Sequence, residues 1–438
     1  MADVLKTLDE FFDIMSTSSL YDLSPALRLM IMGLAVALGP LAWVWVRNKN
    51  APTHQRLRVL TLATLFLTFD LVIFGAFTRL TDSGLGCPDW PGCYASASPV
   101  GAQMPIEAAQ KAMPTGPVTH SKAWIEMIHR YLATGVGVLI LTLTVASWVA
   151  RREEQRGVQS VRRGSQLTQR KATPSQPSQI GDSSTTRIEK RGERLSPWWP
   201  TVTLIWVCLQ GAFGALTVTM KLFPVIVTMH LLGGLVLLAL LRVQAVRYGE
   251  GTAKGGFPVT SLSGRMRVFV LFCFVLLWLQ IALGGWVSTN YAVLACTDFP
   301  SCQNSFWPEM DFTQGFALWR ELGIGQDGSN ISFQALTAIH YVHRLSAYLV
   351  FVALIGLAFA LNHVPAFRTQ ARWLAGLTLL QVVTGVSNVV LGWPLLAAVS
   401  HTGGAAALVV VLTGVVFSSR SIPEPTRASK WSASRVSA

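Results

Sequence analysis

Four histidines inside apolar stretches are the residues of this sequence best suited to chemistry. His129 and His343 each begin a His-Arg pair early in an apolar stretch, and His230 and His401 lie a few residues into two others. An ionisable side chain is costly at membrane depth, so its presence there indicates a function. Because neutral imidazole is a common metal ligand, these histidines predict a metal or haem site.

The same four histidines have a simpler interpretation as packing residues that hydrogen-bond to backbone carbonyls. Their pairing argues against it, because each half of the chain places two histidines at similar depth. Two imidazoles that face each other across a helical bundle suit axial ligation of a haem iron. Zinc or copper is the competing hypothesis, although such a site usually recruits carboxylates or thiolates as well.

One carboxylate distinguishes the first half of the chain from the second. Glu126 stands three residues before His129, on the same face of a helix. We expect it to accept protons beside a substrate, and the alternative is a first-turn acid that the helix dipole favours. In the second half the corresponding residue is His340. This difference predicts one reactive site and one structural or redox site.

Three arginines lie near the same ends of the apolar stretches: Arg79, Arg130 and Arg344. A guanidinium at that level can hold a carboxylate, such as a haem propionate, in bidentate fashion. We therefore expect propionate contacts from these residues. The alternative is that they snorkel towards lipid headgroups.

Two loops each contain a Cys-x5-Cys pair, Cys87 with Cys93 and Cys296 with Cys302. Five intervening residues can close a loop, and a location outside the cytoplasm favours oxidation. We expect a disulfide at each pair. Reduced cysteines or a metal-loading site are the alternatives.

The apolar stretches that carry these residues are long enough to be membrane spans. The chain has 438 residues, of which 51% are hydrophobic and only 13% are charged, and its mean hydropathy is +0.44. A helix needs about 20 apolar residues to cross the hydrocarbon layer. The sequence predicts an all-α polytopic membrane protein with about nine spans, near 27–47, 57–77, 126–149, 200–219, 226–246, 266–287, 339–361, 371–391 and 397–417.

Basic residues concentrate in alternate loops, and this predicts the orientation. Segment 151–199 holds eleven Lys and Arg against five acids, and the tail 418–438 holds four against one. The loop 288–338 has the opposite balance, one against five. The positive-inside rule then places the N-terminus outside and the C-terminus in the cytoplasm. The net charge of +13 thus reflects membrane orientation and does not indicate nucleic-acid binding.

The eight spans from residue 57 onward form two groups of four with matching residues. Gly75 precedes Cys87 by twelve residues, as Gly284 precedes Cys296, and the later histidines recur in the same order. We expect two pseudo-symmetric four-helix transmembrane bundles plus one extra N-terminal span. The expected divisions are an outer segment with the extra span (1–56), the first two spans of the N-terminal bundle (57–150), a disordered basic cytoplasmic linker (151–199), the last two spans of that bundle (200–247), the C-terminal bundle (266–417) and a cytoplasmic tail (418–438).

Across residues 57–417 the sequence resembles the haem A synthase family of cytochrome oxidase assembly proteins. The resemblance rests on the following motifs: Gly75-Ala-Phe-Thr-Arg79-Leu-Thr-Asp-Ser-Gly84-Leu with its Cys-Pro-Asp-Trp-Pro-x-Cys continuation, Glu126-x2-His129-Arg130, His230, His343-Arg344 and His401. It implies two four-helix bundles and an oxidoreductase that converts the C8 methyl of haem O to the formyl of haem A.

The resemblance also implies a role for each ligand. His129 and His230 would bind the substrate haem, His343 and His401 would bind a haem b cofactor, and Glu126 would be the catalytic carboxylate. Bis-histidine ligation fills both axial positions of the iron. We therefore expect stepwise oxidation of the methyl group, in which water adds, electrons leave through the second haem and the glutamate takes protons.

The cysteine pair, a third histidine and two extra segments also bear on the resemblance. Cys87 and Cys93 look like the outer-face cysteine pair of the family. His340 gives the second half a third histidine, and the match to the Glu-x2-His spacing favours His343 as the ligand. The extra first span and the long linker depart from the family pattern.

The expected function is that of a haem A synthase in a bacterial-type inner membrane. Its expected partners are haem O, haem O synthase, membrane lipid and an electron acceptor that the sequence does not identify, and homo-oligomer formation is left open. The alternative is a diheme b-type membrane electron carrier that converts no substrate. A third hypothesis is a membrane thiol oxidant that uses the cysteine pairs.

Overall fold

The computed structural model describes residues 24–171, 196–249 and 260–421. Helices dominate these residues: α1 Ser24–Arg47, α2 Thr53–Leu80, α3 Gln103–Ala112, α4 His120–Lys171, α5 Trp198–Thr219, α6 Pro224–Arg247, α7 Gly264–Thr289, α8 Phe312–Gly315, α9 Phe333–Asn362, α10 Arg368–Val390 and α11 Leu395–Ser418. Two 3-10 turns, Ala292–Ala295 and Pro365–Phe367, and two short parallel strands, β1 Thr260–Leu262 and β2 Ser419–Ser421, complete the fold.

Nine of the helices in the described ranges are long and apolar enough to cross a membrane. They are all the named helices except the short α3 and α8. Long runs of leucine, valine and alanine form helices in lipid because only a helix satisfies every backbone group within one segment. The prediction of an all-α polytopic membrane protein is therefore confirmed, and each expected span lies within one of these helices or within a few residues of its ends.

Eight of the long helices form two similar groups. In the first group α2 packs on α4 and α5 packs on α6, and in the second α7 packs on α9 and α10 packs on α11. The two groups meet where α6 and α2 contact α11 and where α6 contacts α7. Leu238 on α6 and Leu412 on α11 are fully buried in the core cluster that extends through both groups.

The extra helix α1 packs along α4 of the first bundle. Gly33 on α1 faces Thr134, and a Cβ atom built on Gly135 of α4 would lie 2.8 Å from a methyl group of Val36. Small residues on both helices allow this close approach, as is common in membrane bundles. Gly135 therefore packs against α1.

The expected disordered linker, residues 151–199, differs from the structure at both of its ends. Helix α4 continues as far as Lys171, and α5 begins at Trp198. The start of the linker is rich in arginine, glutamate and glutamine, which have high helix propensity, and extending an existing helix needs no new nucleus. Residues 172–195 lie outside the described ranges, as do residues 1–23 and the tail beyond Ser421.

Candidate functional site

All four predicted histidine ligands line one cavity of about 1140 Å³ that extends through both bundles. They are His129 on α4, His230 on α6, His343 on α9 and His401 on α11. Each lies in the half of its helix that is nearer to the cysteine loops, since these four helices all begin on that side. The structure therefore brings together the residues that the sequence places far apart.

Each histidine ring packs against a glycine on the neighbouring helix. The pairs are Gly75 with His129, Gly214 with His230, Gly284 with His343 and Gly385 with His401. A Cβ atom on these glycines would lie between 2.8 and 3.3 Å from the Cε1 atom of the histidine. A larger residue would push the ring aside, so the glycines set the position of the imidazoles.

In the last two helices of each bundle, a glutamine supports the histidine. The Gln210 amide nitrogen donates to the His230 carbonyl at 2.5 Å and lies 3.0 Å from its Nδ1 atom. The Gln381 amide nitrogen donates to the His401 carbonyl at 3.0 Å, while the Thr384 hydroxyl lies 2.9 Å from the His401 Nδ1 atom. A partner at Nδ1 fixes the orientation of an imidazole that binds metal through Nε2.

The other two histidines differ in their support. The Gln280 amide nitrogen lies 3.1 Å from both Nδ1 and the carbonyl oxygen of His343, and Ser346 donates to the Gln280 amide oxygen. The Nδ1 atom of His129 is buried and has no hydrogen-bond partner among the described residues.

Glu126 is buried beside His129, with only 4% of its surface exposed. One carboxylate oxygen accepts a hydrogen bond from Arg130 at 2.5 Å, and the other accepts one from the backbone N–H of Cys87 at 2.8 Å. A buried charge requires such partners. The interpretation as a first-turn acid does not fit, because α4 begins at His120 and Glu126 lies beyond its first turn. The carboxylate contacts the cysteine loop and lines the cavity.

His340 occupies the corresponding place in the second half and is also buried. Its Nδ1 atom lies 3.0 Å from the carbonyl oxygen of Ala292, and its Nε2 atom lies 3.3 Å from Arg344. Both ring nitrogens thus have protein partners. This arrangement favours His343 over His340 as an iron ligand.

Arg130 and Arg344 are buried and hold the two cysteine loops. Arg130 donates to the carbonyl oxygens of Asp89 at 3.0 Å and Pro91 at 3.1 Å, and also to that of Gly92. These contacts exclude snorkelling to lipid headgroups for Arg130. Its contact with a haem propionate remains a prediction, although the side chain lines the cavity.

Arg344 repeats this arrangement at the second loop. It donates to the carbonyl oxygens of Ser301 at 2.6 Å, Asp298 at 2.9 Å and Cys296 at 3.3 Å. The Ser301 hydroxyl and the backbone N–H groups of Asn304 and Gln303 lower the pKa of Asp298 to about 2. The propionate contact of Arg344 likewise remains a prediction.

Arg79 connects the two halves of the molecule. Its guanidinium donates to the carbonyl oxygen of Ser288 at 2.6 Å and lies 3.9 Å from the centre of the Tyr291 ring. An ion pair of 3.4 Å to Asp82 and a hydrogen bond from Tyr291 to the same carboxylate complete the cluster. This role in joining the bundles was not predicted, and a propionate contact stays a prediction.

The cysteines of each predicted pair lie at disulfide distance, with sulfur separations of 2.11 Å for Cys87–Cys93 and 1.93 Å for Cys296–Cys302. All four cysteines are fully buried. The disulfide interpretation is therefore favoured over reduced pairs or a metal-loading site.

The donor set fits haem better than a bare metal ion. Within the described ranges, no group of three or more His, Cys, Asp or Glu side chains is placed to hold a metal ion. Zinc sites normally use at least three protein ligands, whereas a haem iron needs only two axial ones. The small glycines beside the imidazoles and the mainly apolar side chains of the cavity suit a flat apolar macrocycle.

Sequence reasoning missed the supporting polar residues Gln210, Gln280, Gln381 and Thr384. Gln210 and Gln381 were visible as matching positions of the repeat, and a polar residue within a span is itself a signal. Their contacts with particular histidines depend on how the helices are packed.

Comparison with known proteins agrees with this geometry. The family model of cytochrome oxidase assembly proteins matches residues 58–413. A heme A synthase of Shewanella oneidensis is 34% identical over 352 residues, which cover 80% of this chain and 93% of the relative. A heme A synthase of Allorhizobium ampelinum is 27% identical, covering 85% of this chain and 93% of the relative. This chain belongs to the family of cytochrome oxidase assembly proteins.

Proposed function

We propose that the chain is a haem A synthase that oxidises the C8 methyl of haem O to the formyl group of haem A. The single observation that carries the proposal is a buried carboxylate, Glu126, beside one of two otherwise similar histidine pairs. The substrate haem would bind between His129 and His230. The relatives named above, which are heme A synthases, support the same assignment.

The conversion of a methyl group and a water molecule to a formyl group releases four protons and four electrons. Glu126 is the group that can receive protons at this site. Arg130 and the Cys87 N–H hold its two oxygens, so the carboxylate stays beside the substrate while it exchanges protons with the loop side of the membrane. A buried, positioned carboxylate is a common general base.

The second histidine pair would hold a haem b cofactor. When bound, this haem would accept electrons one at a time and pass all four to an external electron acceptor. His343 and His401 are positioned for ligation by Gln280, Gln381 and Thr384, and their site belongs to the same cavity as the first pair. The shared cavity supports the proposal that electrons leave the substrate through the second site.

We place the protein in a bacterial-type inner membrane with the cysteine loops outside and the C-terminus in the cytoplasm. The charge balance of the loops supports this orientation, and the disulfides fit an oxidising compartment. Haem O synthase is the expected source of the substrate.

The test is to co-express the chain with a source of haem O and to separate the extracted pigments by reversed-phase chromatography. We expect haem A and haem b in the purified protein. Haem b alone would contradict the proposal.

A diheme b-type electron carrier is the second candidate function. The observation that favours it is the similar glycine and His-Arg geometry of both sites, which suits two equivalent haems. It predicts unmodified haem in both sites after co-expression. It does not explain why only one site carries a buried carboxylate.

A further inference from the structure

His129 and His343, the two histidines of the His-Arg pairs, make the same contact with a glycine on the neighbouring helix. A Cβ atom on Gly75 of α2 would lie 3.0 Å from the Cε1 atom of His129, and one on Gly284 of α7 would lie 2.8 Å from that of His343. Residues that are the same number of positions away from these glycines or histidines in the two halves can therefore be compared directly.

At two of these positions the second half has a hydrogen-bonding residue near the imidazole and the first half has a leucine. Four residues before its glycine, α7 carries Gln280 and α2 carries Leu71. Three residues after its histidine, α9 carries Ser346 and α4 carries Leu132. Both polar groups that support His343 are thus replaced by leucines around His129.

The consequence is visible at the ring nitrogen. Gln280 lies 3.1 Å from the His343 Nδ1 atom and is itself bonded to Ser346. The corresponding Nδ1 atom of His129 is buried and has no hydrogen-bond partner within the described part of the chain, and Leu71 lines the cavity. Phe74 stacks near the ring with a centroid distance of 6.3 Å, and a stacked phenyl ring does not provide an acceptor in the plane of the imidazole.

A histidine that binds iron through Nε2 carries its proton on Nδ1 and normally donates it to a neighbouring acceptor. Gln280 can supply that acceptor when its amide turns about the last side-chain bond. The amide oxygen then faces Nδ1 and the amide nitrogen faces the Ser346 hydroxyl, which can accept, in exchange for the bond to the His343 carbonyl oxygen. Removing such a partner typically costs about 10- to 100-fold in metal affinity. His230, the other ligand of the first pair, keeps its partner in Gln210.

We propose that His129 is the exchangeable axial ligand of the substrate haem, whereas His230, His343 and His401 are fixed ligands. Leu71 and Leu132 are the positioning residues that create this difference. An exchangeable ligand lets a haem enter and leave a site that converts it, and fixed ligands suit a site that retains its haem. The inference rests on the proposed function for the identity of the substrate haem, but not for the difference between the ligands.

Carbon monoxide is a suitable probe, since it binds ferrous haem only at an axial position that a histidine has left. Two full-length proteins isolate the sites: His343→Ala/His401→Ala keeps the first pair, and His129→Ala/His230→Ala keeps the second. After reduction, we expect CO to bind rapidly to the first protein and at least about 10-fold more slowly to the second. Equal rates in the two proteins would overturn the inference.

Exchanging the support residues provides the sharper test. Leu71→Gln/Leu132→Ser in the first-pair protein should slow CO binding about 10-fold or more, and Gln280→Leu/Ser346→Leu should speed it in the second-pair protein. Leu71→Ile is the matched control, because it fills the same volume without an acceptor and should leave the rate of CO binding unchanged. Unchanged CO binding in the Leu71→Gln/Leu132→Ser protein with normal haem content would also overturn the inference.

Two further measurements cover the loss of haem from a variant and separate this inference from the proposed function. If a histidine-pair variant does not retain haem, the leucine exchange is made in the otherwise unchanged chain, where it should remove the rapid phase of CO binding. A rapid phase that persists there counts against the inference. Pigment extraction separates the two proposals, since haem A without any difference in CO binding would refute only the ligand assignment, and a CO difference without haem A would refute only the proposed function.

Discussion

The two halves of the molecule build similar histidine sites and differ in what surrounds them. Both halves place a glycine against each imidazole and use the arginine after the first histidine to hold a disulfide loop. The first half adds a buried carboxylate, Glu126, where the second has His340. It also has Leu71 and Leu132 at the positions that match the hydrogen-bonding residues Gln280 and Ser346 of the second half.

This comparison separates what haem binding requires from what haem conversion requires. The shared features orient imidazoles, and two such sites would suffice for an electron carrier. On the proposed function, the unshared features would supply a proton acceptor and an exchangeable ligand to the site that transforms its haem. The experiments below test whether the division follows these residues.

Removal of a fixed ligand should give the largest effect. His230→Ala should eliminate the substrate haem and leave the haem b, whereas His401→Ala should eliminate the haem b and leave the substrate site able to bind. Haem content per polypeptide, measured by absorption after purification, should fall by roughly half in each case, because one of two sites is lost. Loss of both haems in His230→Ala, with the chain still folded, would show that the two sites are not separate.

The arginines should contribute unequally to stability. Arg130→Met leaves the Glu126 carboxylate without its ion-pair partner in a buried site, which should lower the free energy of unfolding by about 3–5 kcal/mol. Arg344→Met leaves carbonyl oxygens and His340 without a donor and should cost less, about 1–3 kcal/mol. Thermal unfolding in detergent measures both losses.

The variant Glu126→Gln/Arg130→Met is the control for this pair of measurements. It removes the unpaired charge and should recover part of the stability that Arg130→Met loses. Equal destabilisation by the two arginine substitutions would contradict the view that Arg130 has a buried ion-pair partner and Arg344 has none among the described residues.

The two disulfides should contribute similarly to stability but differently to activity. Replacing either pair with serines should cost about 2–4 kcal/mol, since the loops are of equal length. The Cys87 N–H holds the Glu126 carboxylate, so loss of the first disulfide should also reduce haem A formation. Haem A per polypeptide, measured for both variants, should fall clearly only for Cys87→Ser/Cys93→Ser. A similar fall in the two variants would argue against a special connection between the first loop and the reaction.

Much of the architecture could be predicted because the membrane makes the sequence pattern simple. A span must be apolar and helical throughout, so the nine long helices and their ends near Arg47 or Leu80 follow from composition alone. The internal repeat shows that His129 and His343 are at matching positions, and that His340 stands where the first half has Glu126. Such features can be predicted because each depends on one segment of the sequence or on two aligned segments.

The remaining features depend on contacts between helices, which no periodicity encodes. The contact of Arg79 with Ser288 joins residues that are 209 positions apart. The attachment of Arg130 to the carbonyl oxygens of the cysteine loop depends on how that loop folds back onto α4. In the linker, low hydrophobicity predicts disorder, whereas the high helix propensity of its first residues lets α4 continue to Lys171.

The central claim is that conversion takes place in the first half and depends on its carboxylate. The most direct test compares the pigments of Glu126→Gln and His340→Gln after co-expression with a source of haem O. We predict that Glu126→Gln retains normal total haem but accumulates haem O with a loss of haem A of about 100-fold or more, whereas His340→Gln still makes haem A. Full conversion of haem O by Glu126→Gln with normal haem binding would contradict the account.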